Sequence, residues 1–332
     1  MNAKTKQILT SNEAIVVYVI IALSALISFV NPAFFGLSTV ITLSRSMLVT
    51  LIFAIFEMVV IISGGIDVSF PAIACLAGYG TLRFFIAHDL ENPILAYLMA
   101  MVIGLAIGFV NAVLIAKLNI PPLIATLGVS SVVNGGTLAF LGTQELSNIP
   151  DGIDALSKIF IYTYENAQGI KYQLTVMILI PIVLIVVVWY ILKHTMLGRG
   201  IYAIGGDKNA ARIAGFNVTK IQFIIYMASG AFAGVGGLTY MVLLRHASPQ
   251  AVMGSEMMVI AAVVMGGTRI TGGHGTMAGT VFGVILIALV QNNLVMLGVP
   301  THFQTFVVGL IIVIGTSITS LRAKKIANSA KV

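Results

Sequence analysis

Apolar runs of eighteen or more residues recur along nearly the whole of this chain, and no other feature of the sequence restricts its fold so tightly. At 1.5 Å of rise per residue, such a run crosses the roughly 30 Å hydrocarbon core of a bilayer as a helix. Backbone groups inside lipid find no water, so they must bond one another, which a helix achieves within one segment. Only 9% of the residues are charged, against about 25% in soluble domains. The chain therefore reads as an all-α integral membrane protein, a single domain over 1–332, with about ten transmembrane helices. The spans are expected near residues 14–30, 39–62, 68–87, 94–117, 121–142, 173–193, 221–243, 255–268, 275–297 and 302–320. Lys4 and Lys6 precede the first run as in a secretory signal, but Glu13 abuts it and no small-residue cleavage site follows before Asn31-Pro32. A retained helix is the expectation.

Positive residues resist translocation, so their distribution orients the chain. With the N-terminus inside, ten spans assign Lys4, Lys6, Lys117, Lys193, Arg199, Lys208, Arg212, Lys220, Arg269, Arg322, Lys324, Lys325 and Lys331 to the cytoplasm. Only Lys158, Lys171 and Arg245 fall clearly outside, with Arg83 near the outer end of its span. Both termini are thus expected in the cytoplasm. The net charge of +7 is scattered in short juxtamembrane clusters, which argues against nucleic acid as a partner. Cys75 is the single cysteine, so one chain holds no disulfide or cysteine-based metal site, and no cofactor is expected.

Residues 143–172 form the largest polar segment on the outer side, expected as a helical loop lying on the bundle. Two stretches about 180 residues apart resemble each other: IACLAGYGT from Ile73 and IAAVVMGGT from Ile260, each preceded by an acid, Asp67 or Glu256. Asn111 followed by Ile120-Pro121 is echoed by Asn292 followed by Val299-Pro300. An inverted repeat, a transporter feature, would place such pairs in oppositely directed helices. Gly104 with Gly108, Gly230 with Gly234, and Gly275, Gly279 and Gly283 recur at four-residue spacing, which lets helix backbones approach closely.

No G-x-x-x-x-G-K-[ST] phosphate loop occurs, so any ATP hydrolysis must belong to another polypeptide; the chain is read as a transport subunit and not an enzyme. The cytoplasmic segment 194–220, HTMLGRGIYAIGGDKNAARIAGFNVTK, contains a short helix that Asp207 or Asn209 can cap and Gly215 can end. Such a helix on the membrane surface is a handle for a mechanical partner.

This loop, with SGGIDVS from Ser63, IPPLIATLG from Ile120, IAAVVMGGT from Ile260 and GGHGTMAGT from Gly272, resembles the ribose/xylose/galactose-type permeases of ABC importers. The resemblance implies a vitamin B12-importer-like membrane fold in the bacterial cytoplasmic membrane. It further implies a second permease subunit, identical or not, an ATP-binding subunit and a periplasmic sugar-binding protein. By the same resemblance Gly205, Gly206, Asp207, Ala211 and Arg212 would contact the ATPase. Phe70-Pro71 replaces a small pair of the family pattern, which the first turn of a helix tolerates. Glu57 replaces a small apolar residue.

An ionisable group deep in a span costs at least about 2.5 kcal/mol unless shielded, so Glu57 is expected to line the pathway or bond a facing helix. Arg45, twelve residues earlier and about 18 Å away along the axis, cannot pair with it and is expected to snorkel or meet another span. Asp67 is read as the cap of the third helix. Asn111, Asn134, Gln291 and Asn292 serve either the pathway or helix bridging, where such bonds contribute about 0.6 kcal/mol each. The leading expectation is passage of a small sugar by alternating access. A permease for nucleosides or another small polar solute is the nearest alternative. An ion-coupled secondary transporter with Glu57 as proton carrier is the third.

Overall fold

The computed structural model describes residues 12–30, 32–166 and 168–293, together with positions 303, 306, 309, 310 and 313, which are helical. The span expected at 302–320 therefore lies largely outside the described residues, as does the end of the one expected at 275–297. In chain order the helices are α1 (Asn12–Val30), α2 (Leu37–Ile62), α3 (Phe70–Ala87), α4 (Pro93–Ala112) and α5 (Pro122–Gly136). The last two continue through single π-turns, Val113–Lys117 and Thr137–Leu141. A short α6 (Asp151–Ser157) and an antiparallel hairpin, β1 (Phe160–Glu165) with β2 (Lys171–Thr175), lead into α7 (Leu179–His194). Then come α8 (Met196–Gly206), α9 (Lys208–Ile213), α10 (Val218–Leu244), α11 (Glu256–Met265) and α12 (Met277–Asn293).

Local chemistry accounts for the ends. Asn92 caps α4 by accepting from the backbone N–H groups of Ile94 and Leu95 at 3.0 and 3.2 Å. Pro71, Pro93 and Pro122 sit in first turns, where a missing N–H has no cost. Gly64 at φ +84° turns the chain out of α2 in a conformation that a side chain disfavours.

Among the described residues, six helical stretches are long and apolar enough to cross a bilayer: Leu37–Ile62, Phe70–Ala87, Pro93–Lys117, Pro122–Leu141, Val176–His194 and Val218–Leu244. The stretches Glu13–Phe29, Glu256–Met265 and Met277–Asn293 are apolar but shorter. The span expected at 255–268 is thus corrected: α11 has 10 residues, about 15 Å of rise, and covers half a bilayer. The apolar run continues through Gly266 and Gly267, but Gly267 takes φ +98° and the chain turns there.

The all-α expectation is also corrected. Among the described residues of 143–172, only Asp151–Ser157 is helical, while Phe160–Glu165 and Lys171–Thr175 pair as the hairpin. Its β-branched and aromatic residues suit a pleated surface: Phe160 pairs with Thr175, Tyr162 with Leu174 and Tyr164 with Tyr172. Asn166 closes the turn by accepting from the Ile170 N–H at 2.8 Å, with Gly169 at φ +78°.

The bundle is organised about α2 and α10. Residues Leu48–Ile62 of α2 are buried almost without interruption among α10, α11 and α12, and α10 in turn packs on α3 and α4. Phe56 and Phe232 stack across that interface with centroids 4.4 Å apart. Cys75 lies inside α3 at 1% exposure. Small residues do what their spacing predicts: a Cβ on Gly104 would land on the Gly230 carbonyl oxygen, and one on Gly230 would land on that of Gly104. The α4 and α10 backbones therefore touch.

Beside the hairpin, Leu146 and Ala247 exchange backbone hydrogen bonds at 2.8 and 3.0 Å, and Tyr79 donates to the Gln144 carbonyl at 2.7 Å. Asp154 anchors this end, bonded to Lys158 at 2.6 Å, to the Arg245 Nε at 3.1 Å and to the Ser157 hydroxyl at 3.0 Å. The Lys158 ammonium, with help from Ser157 and Arg245, holds the Asp154 carboxyl below the usual carboxylate range. A carboxyl lowered on folding stabilises the fold above its unfolded value, about 3.9, and that contribution disappears as pH falls through the lower folded value. The protection of the Asp151–Ser157 amides against exchange, taken relative to the intrinsic rate at each pH, is thus expected to fall as pH drops below about 4, and the Asp154→Asn variant should lack that step.

Candidate functional site

Three glycine-containing turns meet at the end of the bundle opposite the hairpin. The first is SGGIDVS, residues 63–69, between α2 and α3. The second is the end of α8 at Gly205. The third is GGTRITGGHGT, residues 266–276, between α11 and α12. The Gly273 N–H donates to the Ile62 carbonyl at 2.8 Å. Gly205 wedges between them: a Cβ there would overlap the Ile62 oxygen and the Gly273 nitrogen. Gly272 approaches both Gly64 and Gly205 by backbone alone. Tyr202 on α8 adds a bond from its hydroxyl to the Gly275 carbonyl at 2.7 Å. Backbone packed on backbone has no rotamers to absorb displacement, and here it joins the segment carrying α8 and α9 directly to the end of α2.

The first turn is bound to four helices beyond this junction. Asp67, fully buried, accepts at one carboxylate oxygen from the Ser69 N–H and hydroxyl at 2.8 and 2.6 Å, and at the other from the Ser229 hydroxyl of α10 at 3.0 Å. Asn111 of α4 donates to the Ser69 hydroxyl at 2.8 Å, and the Val68 N–H donates to Thr126 of α5 at 3.3 Å. Glu57 of α2 accepts from the Asp67 N–H at 3.2 Å. Asp67 thus lies two residues ahead of Ser69, the residue that flanks α3, and its carboxylate bonds no helical N–H. It fixes the turn and α10 instead of capping α3.

Glu57, also buried, accepts at Oε1 from the turn that follows its own helix, while its Oε2 is buried without a hydrogen-bond partner among the described residues. Glu57→Leu would strand the Asp67 N–H without a partner, and a buried unsatisfied donor costs about 1–3 kcal/mol. A correspondingly lower unfolding midpoint is expected for the purified chain. Glu57→Gln keeps an acceptor and should recover most of the loss.

The segment 194–220 holds two helices. Asp207 caps α9 by accepting from the N–H groups of Asn209 and Ala210 at 2.7 and 2.9 Å, and Gly215 at φ +87° ends it. Asn209 is not the cap. Of the five residues expected to meet an ATPase, Gly206, Asp207 and Arg212 are exposed. Gly205 faces the junction just described, and Ala211 is 2% exposed against the chain's own core. These two support the handle from inside. Ile213, 88% exposed, extends the outward face and was not singled out by sequence. Nothing in its surrounding sequence separates it from Ile204 or Ile221.

The remaining amides divide. Asn292 donates to the Ser46 hydroxyl at 2.8 Å and to the Ala288 carbonyl, bridging α12 to α2, and Asn111 bridges α4 to the 63–69 turn. Asn134 has a buried side-chain oxygen with no partner among the described residues. Gln291 lines a cavity of about 590 Å³ between α2, α10, α11 and α12. Arg45, on its wall, donates to the Leu243 carbonyl of α10 at 3.3 Å.

The sequence model of a family described as "Branched-chain amino acid transport system / permease component" matches residues 39–315. Among curated proteins, the chain is similar to the ribose import permease protein RbsC of Escherichia coli (strain K12), with 31% identity over 89% of each chain. It is 32% identical to the Bacillus subtilis (strain 168) protein of that name over 87% of each. The fructose import permease protein FrcC of Rhizobium meliloti is 28% identical over 95% of this chain and 87% of its own. No solved structure matches.

Proposed function

The chain belongs to the family of branched-chain amino acid transport system permease components, and from that premise we propose that it is the membrane subunit of an ATP-driven importer of small sugars. The relatives that carry sugar import in their names support the solute class. The observation that carries the mechanism is the wedging of Gly205 against Ile62 and Gly273. Through it, a push on α8 and α9 from a separate ATP-binding subunit would reach α2 and, by way of Asp67 and Asn111, α10 and α4. A periplasmic sugar-binding protein would deliver solute at the hairpin end, and a second permease subunit would complete the pathway.

Ten passes, one of them made by the short α11 together with its flanking turns, both termini inside the cell and a vitamin B12-importer-like arrangement fit this reading. Ile62, Gly205 and Gly273 gather at one end, and Gln144, Asp154 and Arg245 at the other, as that topology requires. The reciprocal packing of α10 on α3 and α4, and of α2 on α11 and α12, fits an inverted repeat. The short α11 departs from strict correspondence with α3.

Gly206 offers the direct test. It is exposed, and a Cβ there meets nothing within 4 Å, so Gly206→Trp changes the surface of the handle without disturbing the fold. Gly206→Trp and Arg212→Glu are each expected to abolish co-purification of the ATP-binding subunit while the chain keeps its unfolding midpoint. Retention of the ATPase by both variants would refute the handle. Uptake by this chain alone, driven by an ion gradient, would favour a secondary transporter.

A further inference from the structure

The cavity between α2, α10, α11 and α12 has one charged residue on its wall. Arg45, itself exposed, lies eight residues beyond the start of α2, about 12 Å along the axis. No Asp or Glu lines the cavity, and among the described residues Arg45 makes no ion pair. A guanidinium carries five N–H donors and stays charged at every physiological pH. One of the five reaches the Leu243 carbonyl, leaving the others for whatever enters. Gln291 brings an amide, donor and acceptor together, that has no partner among the described residues. Phe53 and Tyr240 supply flat apolar faces to the same wall, and Thr50 a hydroxyl.

A volume of about 590 Å³ falls within the roughly 300–1,000 Å³ of small-molecule sites, and a mostly apolar wall with a few convergent polar groups is their usual character. A cation in such a wall, with no ion pair among the described residues, is matched by an anion. Carboxylate fits best, because two guanidinium N–H groups meet its two oxygens side by side. Hydroxyl groups match the Gln291 amide and Thr50, and the C–H groups of a sugar's carbon chain match the apolar faces of Phe53 and Tyr240. We propose that this cavity is an outward-facing site for an acidic monosaccharide, its carboxylate held by Arg45 and its hydroxyls by Gln291. The proposal rests on the sugar-importer reading and narrows it: Arg45 draws in a sugar acid in preference to the neutral sugar.

The test uses the full-length chain in phosphatidylcholine nanodiscs, with D-ribonate and D-ribose as probes. Ribonate is expected to bind about tenfold more tightly than ribose, because a charge-assisted pair replaces a neutral one. Arg45→Gln should bring ribonate down to the affinity of ribose, and Arg45→Lys, which keeps the charge but loses the fork, should give an intermediate preference. Equal binding of the two sugars by the unaltered chain, or a preference that survives Arg45→Gln, would overturn the proposal. In either case uptake of ribose by the complete importer would leave the sugar reading standing, whereas uptake of neither sugar would remove both. Repeating the titration with phosphatidylglycerol in the bilayer separates a soluble anion from a lipid phosphate. If that lipid displaces ribonate completely, Arg45 is a lipid contact and the proposal fails.

Discussion

Replacing Gly205 by valine is expected to cut ATP-driven sugar uptake by about tenfold or more in the complete importer, while binding of the ATPase survives. A Cβ at this position would overlap the Ile62 carbonyl and the Gly273 nitrogen, both backbone atoms that cannot rotate away. Overpacking of this kind costs about 1–3 kcal/mol, and about 1.4 kcal/mol is a tenfold change in an equilibrium. The strain falls on the contact that joins α8 to α2, so the handle still docks but no longer drives the bundle. Uptake and ATP hydrolysis measured together decide the matter: hydrolysis without uptake is the expected signature. Its contrast with Gly206→Trp, one residue away, separates transmission of force from attachment of the motor.

The largest effect on stability is expected from Gly230→Val. Its Cβ would land on the Gly104 carbonyl oxygen and would come within 2.7 Å of the Gly108 Cα, separating α10 from α4 where their backbones touch. The cost should lie at the upper end of about 1–3 kcal/mol, because lipid offers no compensating hydrophobic drive to hold the helices together. Yield of monodisperse protein and its unfolding midpoint should both fall sharply. Gly128→Val is the matched control, since a Cβ on Gly128 of α5 meets nothing within 4 Å.

The long apolar helices were legible in sequence because a span needs only length and apolarity. Expected limits of 39–62 and 221–243 compare with Leu37–Ile62 and Val218–Leu244. Hydropathy fails where an apolar run bends. Met265 leads into Gly266-Gly267 without any polar signal, so α11 looked longer than it is, although the paired glycines marked the turn. The hairpin was missed for a different reason: the apolar residues of 143–172 suggested a face lying on the bundle, and the clustering of tyrosine, threonine and isoleucine in 160–175 was the unread signal.

At the junction, sequence marked the segment but not the roles of its residues. Gly205 and Gly206 are identical neighbours, and which of them faces inward depends on where Gly273 arrives from the far side of α11. Asp67 reads in sequence as the cap of the third helix. Its bond to Ser229 joins residues 162 apart, which no local pattern encodes.

The seclusion of Cys75 makes this chain suited to spectroscopy. Buried thiols inside apolar surroundings are inert towards modifying reagents, and Cys75, at 1% exposure, is the single cysteine of the sequence. Cysteines introduced at exposed Gly206 and Arg212 could therefore carry spin labels or fluorophores against a silent background, without first removing the native thiol. Distances from such labels to a partner would follow the handle through each cycle of ATP in a protein otherwise left as it is.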